Sequence, residues 1–317
     1  MSNDRSEHAL DEPWWPSRYG ATDQLGTLNE ITPAKVAAAA RLVRQGRTFD
    51  LGRTLHADVP RFEGRYWQQS LVSSAHIINP RKPGGVPRST ASGQAGGWGQ
   101  NRINWVTELI TGTLQIGTHL DGLNHLQIGE RFYNGYRLED IAEEWGTNKL
   151  GIETVPPIIT RGVLADITRY RGISRMQPGQ VITVDDLDGA LQAQGVAVEP
   201  GDVLLFHTGW GTLWHEDPAR YTSGEPGVGM AVAEWLIERR VALTGADTWS
   251  FGAVPGEDPE RPFVVPQTLN VKHGLFIMEN LDTSALAAAQ IYEFMFVLTH
   301  HKTRGSTASG IAPAAVI

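Results

Sequence analysis

The chain has no cysteine in its 317 residues. Disulfides, thiolate metal sites and a cysteine nucleophile are therefore excluded together, and any bound metal must be held by nitrogen and oxygen ligands. Long apolar runs are missing too. No stretch approaches the roughly 20 residues needed to span a bilayer, and the polar start Met1 to His8 lacks the apolar stretch of a signal peptide. A cytoplasmic location without membrane association is the expectation. Positive charge is scarce: 27 Lys and Arg face 35 Asp and Glu, a net charge of −8, with no basic run able to follow a phosphate backbone. Nucleic acid is not an expected partner; a small-molecule substrate is. Several catalytic templates are also absent: no Gly-x-Ser-x-Gly elbow, no His-Glu-x-x-His, no phosphate loop ending in Gly-Lys-Ser/Thr and no Gly-x-Gly-x-x-Gly. Serine-hydrolase, zincin, P-loop and dinucleotide-binding readings fall with them.

What is present reads as a globular α/β protein. Hydrophobic residues make up 41% and charged residues 20%, an ordinary balance for a chain that buries its own core. Thr32-Pro33 followed by Ala34 to Arg44 and Gly46 predicts a helix with an N-cap, a proline in its first turn and a closing glycine. Thr183 predicts the N-cap of a second helix over 184–194, closed by Gly195, and Met230 to Arg239 a third. A short helix is expected over Leu138 to Trp145. Apolar strand segments are expected over Pro157 to Ala165, Asp202 to His207, Val241 to Gly245, Gly274 to Leu281 and Ile291 to His300. Residues 78–100, dense in Pro, Gly and Ser, read as a long loop, either a lid over a pocket or a surface excursion. One mixed domain over 1–317, with 1–20 peripheral, is the simplest organisation.

The chemistry concentrates in Gln115-Ile116-Gly117-Thr118-His119-Leu120-Asp121-Gly122-Leu123-Asn124-His125. On an extended strand Gln115, Gly117, His119 and Asp121 would share one face, setting an imidazole beside a carboxylate. Gly122 is a natural bend that brings His125 back over them. A nitrogen ligand, an oxygen ligand and a group titrating near neutrality are the ingredients of a metal site. A hydrogen-bonded His–Asp pair that orients a loop uses the same residues. His207, at a strand end, reads as a satisfied structural histidine that can border the pocket. His300 and His301 receive no role. The ten tryptophans, Trp14, Trp15, Trp67, Trp98 and Trp105 among them, offer core, surface or aryl-pocket material.

The segment resembles the signature of the cyclase family, His-x-Gly-Thr-His-x-Asp-x-Pro-x-His, which includes bacterial kynurenine formamidases and isatin hydrolases. Gly117, Thr118, His119, Asp121 and His125 match; Gln115 stands where the family has its first His and Leu123 where it has Pro. Leu204 to Trp210, Gly245 to Thr248 and Gly274 to Leu281, with Glu279, are similar to the family's later blocks. The resemblance implies a mixed domain of the swivelling β/β/α type, metal ligation by His119 and Asp121, and His125 as catalytic acid/base. Glu279 matches a family Glu that reaches metal or orients a water, and the family His twelve positions earlier is here Gln267. With glutamine at 115 and 267, two imidazole ligands of a binuclear zinc site are missing. One divalent ion is then expected, with Mn²⁺ favoured and Zn²⁺ as the alternative, and Gln115 and Gln267 are still able to ligate through their amide oxygens. The glutamine pattern also resembles longer members such as trans-dienelactone hydrolase. Hydrolysis of an amide, lactam or lactone in a small cyclic or aromatic substrate is implied, with a lactone hydrolase or a catalytically silent binding relative as alternatives. A dimer or tetramer is the implied assembly.

Overall fold

The computed structural model describes residues 13–73, 100–101, 103 and 105–317. All of the expected loop over 78–100 except Gln100 lies outside them. The chain forms two compact units, Met1–Thr54 with Leu114–Ile317, and Leu55–Thr113. The strands, in chain order, are β1 (Thr48–Asp50), β2 (Trp67–Ser73), β3 (Val106–Gly112), β4 (His119–Asp121), β5 (Ala142–Glu143), β6 (Gly146–Thr147), β7 (Ile158–Asp166), β8 (Val181–Ile182) and β9 (Val203–His207). They continue with β10 (Gly227–Val228), β11 (Leu243–Ala246), β12 (Phe276–Glu279), β13 (Glu293–Leu298), β14 (Ala308–Gly310) and β15 (Ala314–Val316).

The larger unit is built on a nine-stranded mixed sheet in the order β1-β15-β13-β7-β9-β11-β12-β4-β14. Its centre is parallel: β7, β9, β11 and β12 run the same way. The flanking strands pair antiparallel, β13 on β7 at one side and β4 on β12 at the other. Parallel strands covered on both faces should be apolar throughout rather than alternating, and β9, Val203-Leu204-Leu205-Phe206-His207, is buried at every position. Val203 and Leu205 pack with Phe276 and Met278 in one core, on one face of the sheet. Leu204 and Phe206 pack with Ile277 in the other.

Helices α2 (Val184–Gln194), α3 (Met230–Glu238) and α4 (Val264–Gln267) close that second face, and α1 (Pro33–Ala40) precedes them in the chain. Leu187, Ala190 and Leu191 of α2 and Val232, Ala233 and Leu236 of α3 enter the same core as Leu204 and Phe206. α2 is bounded as the sequence predicts: Thr183 and Asp186 form a reciprocal capping box and Gly195 closes the helix at φ +69°. α1 starts at Pro33 on its Thr32 cap but ends at Ala40, short of the expected Arg44. Beyond Ala40 the chain tightens, with Leu42 N–H donating to Ala39 O and Val43 N–H to Ala40 O, bonds that span three residues rather than four. The expected helix over 138–145 is a single turn, Leu138–Ile141, after which β5 and β6 turn back on each other. The smaller unit carries a two-stranded ribbon in which β2 pairs with β3, from Trp67 opposite Gly112 to Ser73 opposite Val106.

Asp186 is also gripped by Arg171, whose Nε and Nη2 donate to its two oxygens at 2.8 and 2.6 Å. The guanidinium, against some desolvation, holds the Asp186 carboxyl down at about 2. A carboxyl lowered in the folded state stabilises it fully above its ordinary value and loses that contribution as pH falls through the lowered one. Thermal unfolding of Asp186→Asn should therefore be shifted least from the parent near pH 2 and most above pH 4. Equal shifts across that window would refute the assignment.

Candidate functional site

β4 carries the site because it is added to the edge of the parallel centre. It lies between β12 and β14, with His119 opposite Glu279 on one side and Gly310 on the other, and Asp121 opposite Ala308. The one-face strand expected from Gln115 to Asp121 is realised only from His119 onward. Residues 114–118 are bends, and Gly117 sits at φ +62°, a left-handed conformation that glycine adopts without strain. The turn has a chemical consequence: Gly117 O lies 2.9 Å from His119 Nδ1. A carbonyl only accepts, so Nδ1 carries a proton, and in the neutral ring it is the Nε2 lone pair that points into the site.

Nε2 faces two carboxylates, Asp121 Oδ1 at 3.5 Å and Glu279 Oε2 at 3.2 Å, all buried. His119, Asp121 and Glu279 each offer a ligand atom, and the three atoms lie within 4.8 Å of one another. Burial disfavours a charged imidazole, yet the facing carboxylates of Asp121 and Glu279 outweigh it, pushing His119 up to about 10. The pocket thus selects for a positive charge at this point. A divalent cation meets that demand. Nitrogen and oxygen ligands at roughly 2.0–2.2 Å from an ion stand roughly 3.0–3.5 Å from each other, which is the spacing of Nε2 from each of the two carboxylates. Nε2 itself makes no hydrogen bond among the described residues. The residues fit a metal ion.

His125 reaches the group through the bend the sequence predicts. Gly122 N–H donates to Thr307 O at 2.8 Å, and His125 N–H donates to Gly122 O at 3.1 Å. A Cβ at Gly122 would stand 2.5 Å from Asn124 Oδ1 and 3.1 Å from Thr307 O, so a larger residue would have to displace the Asn124 side chain. His125 Nε2 ends 3.9 Å from Asp121 Oδ1, and the side chain is less buried than those of His119 and Asp121. On its other edge Gln115 Nε2 lies 3.2 Å from Nδ1 while donating to Thr307 Oγ1 at 2.9 Å. Gln267, in α4, donates its amide nitrogen to Gln127 O at 2.8 Å, two residues past His125. His207 is engaged by Thr283 Oγ1 at 2.7 Å, with Asp247 Oδ2 at 3.6 Å. Asp247 ties the ends of β9 and β11 together by accepting from Thr208 N and Oγ1 and from Gly211 N.

A brace carried by no motif aligns the two ligand strands. Arg53 N–H donates to Thr118 Oγ1 at 2.9 Å, Thr118 Oγ1 donates to Asn280 O at 2.8 Å, and Arg53 Nε donates to the same carbonyl at 3.0 Å. Arg53 Nη2 reaches Leu281 O at 2.9 Å. Thr118 precedes His119 and Asn280 follows Glu279, so one arginine holds the Thr118 hydroxyl beside one ligand and the Asn280 carbonyl beside the other. Asn280 holds φ +56°, with its N–H on Thr248 O and its side chain accepting from Tyr221 OH at 2.7 Å. Arg53, Thr307 and Asn280 gave no sequence signal, because their partners lie far along the chain. Thr118→Val should cost about 1–3 kcal/mol by leaving Arg53 N–H without its acceptor, and should weaken metal binding. Denaturant unfolding beside a metal titration checks both; unchanged values in both would refute the brace.

Residues 49–253 match the family model described as "Putative cyclase". No curated protein matches the chain. Among solved structures, one described as a novel cyclase is 30% identical, covering 95% of this chain and 96% of its own, with a TM-score of 0.80. Isatin hydrolase A from Ralstonia solanacearum is 20% identical, covering 90% of this chain and 97% of its own, and that from Labrenzia aggregata 18%, covering 91% and 98%; both have a TM-score of 0.61 and show likeness of fold. The family match and the 30% identity over nearly the whole length of both chains show that this chain belongs to the putative cyclase family.

Proposed function

We propose that the chain is a metal-dependent hydrolase that cleaves an amide, lactam or lactone in a small, cyclic or aromatic substrate. The observation that carries the reading is the buried His119–Asp121–Glu279 group with His125 standing beside it, held on its far edge by Gln115. When bound, a divalent ion supplies Lewis acidity, polarising a carbonyl and lowering the pKa of water towards about 7. One imidazole and two carboxylates suit Mn²⁺ better than a tetrahedral zinc site. The Gln115 and Gln267 amide oxygens are the atoms through which either could add to that set.

The chain's own residues then divide the remaining work. His119 is oriented by Gly117 O, and Glu279 by the backbone brace that Arg53 and Thr118 form. His125 Nε2 moves the proton: Gln115 Nε2 only donates, so the neutral ring carries its hydrogen on Nε2, hands it to the leaving nitrogen or oxygen as the acyl bond breaks and takes its replacement from the attacking water. Gln115 fixes the imidazole plane from Nδ1, so Nε2 keeps facing the ligand group. The net reaction adds one water across the acyl bond, giving a carboxylic acid and an amine or alcohol.

His125→Ala should lower kcat by about 10²–10⁴ while the bound metal per chain stays that of the parent. Hydrolysis of a panel of aryl amides, lactams and lactones, with elemental analysis of each preparation, tests this; parent-level turnover by the variant would remove His125 from the proton-transfer role. His119→Ala with Asp121→Ala should lose the metal outright. Chelation of the parent should abolish turnover, and Mn²⁺ should restore it. A parent that binds no metal after supplementation defeats the proposal.

A further inference from the structure

We infer that Thr307 is the positioning residue for His125, holding the imidazole from two sides, through Gln115 and through the Gly122 turn. The inference rests on reading His125 as the group that moves the proton. His125 stands on a turn rather than a strand, and its side chain is more open than those of His119, Asp121 and Glu279. Such a ring rotates about two side-chain bonds, so its aim depends on what meets its edges. Gln115 Nε2 meets Nδ1 at 3.2 Å. Gln115 is itself a long, partly buried side chain on a stretch of bends, with several rotamers open to it. Thr307 selects one of them: its Oγ1 accepts from the same amide nitrogen at 2.9 Å. The two hydrogens of Nε2 are thereby divided, one directed at Thr307 and one at His125.

The same residue holds the turn. Thr307 O accepts from Gly122 N–H at 2.8 Å, and Gly122 O accepts from His125 N–H at 3.1 Å. The Thr307 carbonyl thus sets where the His125 backbone lies, and the Thr307 hydroxyl sets what faces the ring. Thr307 is fixed in turn on both sides. Ala308, after it, opens β14 opposite Asp121. Ser306, before it, offers its carbonyl to Ile152 N–H at 3.0 Å and to Asn124 Nδ2 at 3.2 Å. Gly305 accepts from Thr147 N–H at 3.0 Å and donates its own N–H to the Glu153 carboxylate at 2.8 Å. A hydroxyl mounted on backbone held this way can keep a reacting group within the tolerance that proton transfer needs. One that served folding alone would alter stability and leave turnover per folded molecule unchanged; one that aims His125 alters turnover.

The test is a double-mutant cycle on whichever amide, lactam or lactone the parent hydrolyses. Thr307→Val removes the hydroxyl and keeps the carbonyl. It should lower kcat by about tenfold, with KM within about twofold and metal per chain unchanged, and Thr307→Ser should recover most of the loss. In a Gln115→Leu background, where the link is already cut, Thr307→Val should cost less than about twofold more. Parent-level kcat in Thr307→Val, no recovery by serine, or the same loss in both backgrounds overturns the role. Thr307→Ala carries the same comparisons should Thr307→Val not fold. A second readout needs no turnover: side-chain nitrogen NMR of the Zn²⁺-loaded chain with labelled histidine, His125 being assigned by its loss in His125→Ala. The parent and Thr307→Ser should show one His125 signal set with Nδ1 unprotonated, and Thr307→Val a displaced or doubled set; identical spectra overturn the role. If the parent hydrolyses nothing, the hydrolase reading fails and the spectra alone decide whether Thr307 holds His125.

Discussion

Two carboxylates and one imidazole meet at a point from which water is largely removed, and their charges do not cancel. Burial raises the cost of every uncompensated charge, so Asp121 and Glu279 can share the Nε2 face of His119 only where something positive joins them. That requirement explains features that otherwise look unrelated. Gly117 turns the chain so that a carbonyl takes the Nδ1 proton and leaves Nε2 bare. Asn280 tolerates a left-handed backbone so that Glu279 ends its strand pointing inward while the next carbonyl meets Arg53. The architecture holds like charges together until a cation fills the gap.

The sheet makes that possible at low local cost. β7, β9, β11 and β12 are parallel, so their carboxyl ends lie along one edge, where open α/β sheets gather their ligand-binding residues. His207, Asp247 and Glu279 all stand at such ends. A purely parallel sheet would present them to a loop. Here β4 is instead laid antiparallel against β12, and the pairing of His119 with Glu279 is fixed by ladder hydrogen bonds rather than by loop conformation. Ligands mounted on paired strands are held to tighter tolerance than ligands on flexible segments, which is what a metal of defined coordination needs.

How much of this the sequence disclosed depends on the range of each interaction. Gly122 and His125 were legible because a glycine bend acts over four residues, and α2 because its cap and closing glycine are local. His119 and Asp121 were legible by alternation, but the same rule misplaced Gln115 and Gly117 on the strand, since a period-two pattern cannot show where a glycine leaves it. Glu279 became a candidate only through family resemblance: it pairs with His119 across 160 positions of chain, and no local pattern carries that. Arg53 meets Asn280 across 227 positions and Gln115 meets Thr307 across 192.

The glutamine at 115 gains meaning from the same charge argument. Where the family signature has histidine, this chain has a neutral amide whose nitrogen is turned towards His125 and Thr307. An amide does not titrate in the accessible range, so Gln115 remains a donor to His125 Nδ1 and favours the ring form that leaves this nitrogen unprotonated. It also brings no negative charge. Two buried carboxylates are balanced by one divalent cation with His119 neutral, whereas a second cation would need further anionic donors, and neither Gln115 nor Gln267 supplies one. On the proposed reading, replacing a ligand by an orienting amide leaves a centre balanced for a single ion and gives the proton-transfer residue a fixed support.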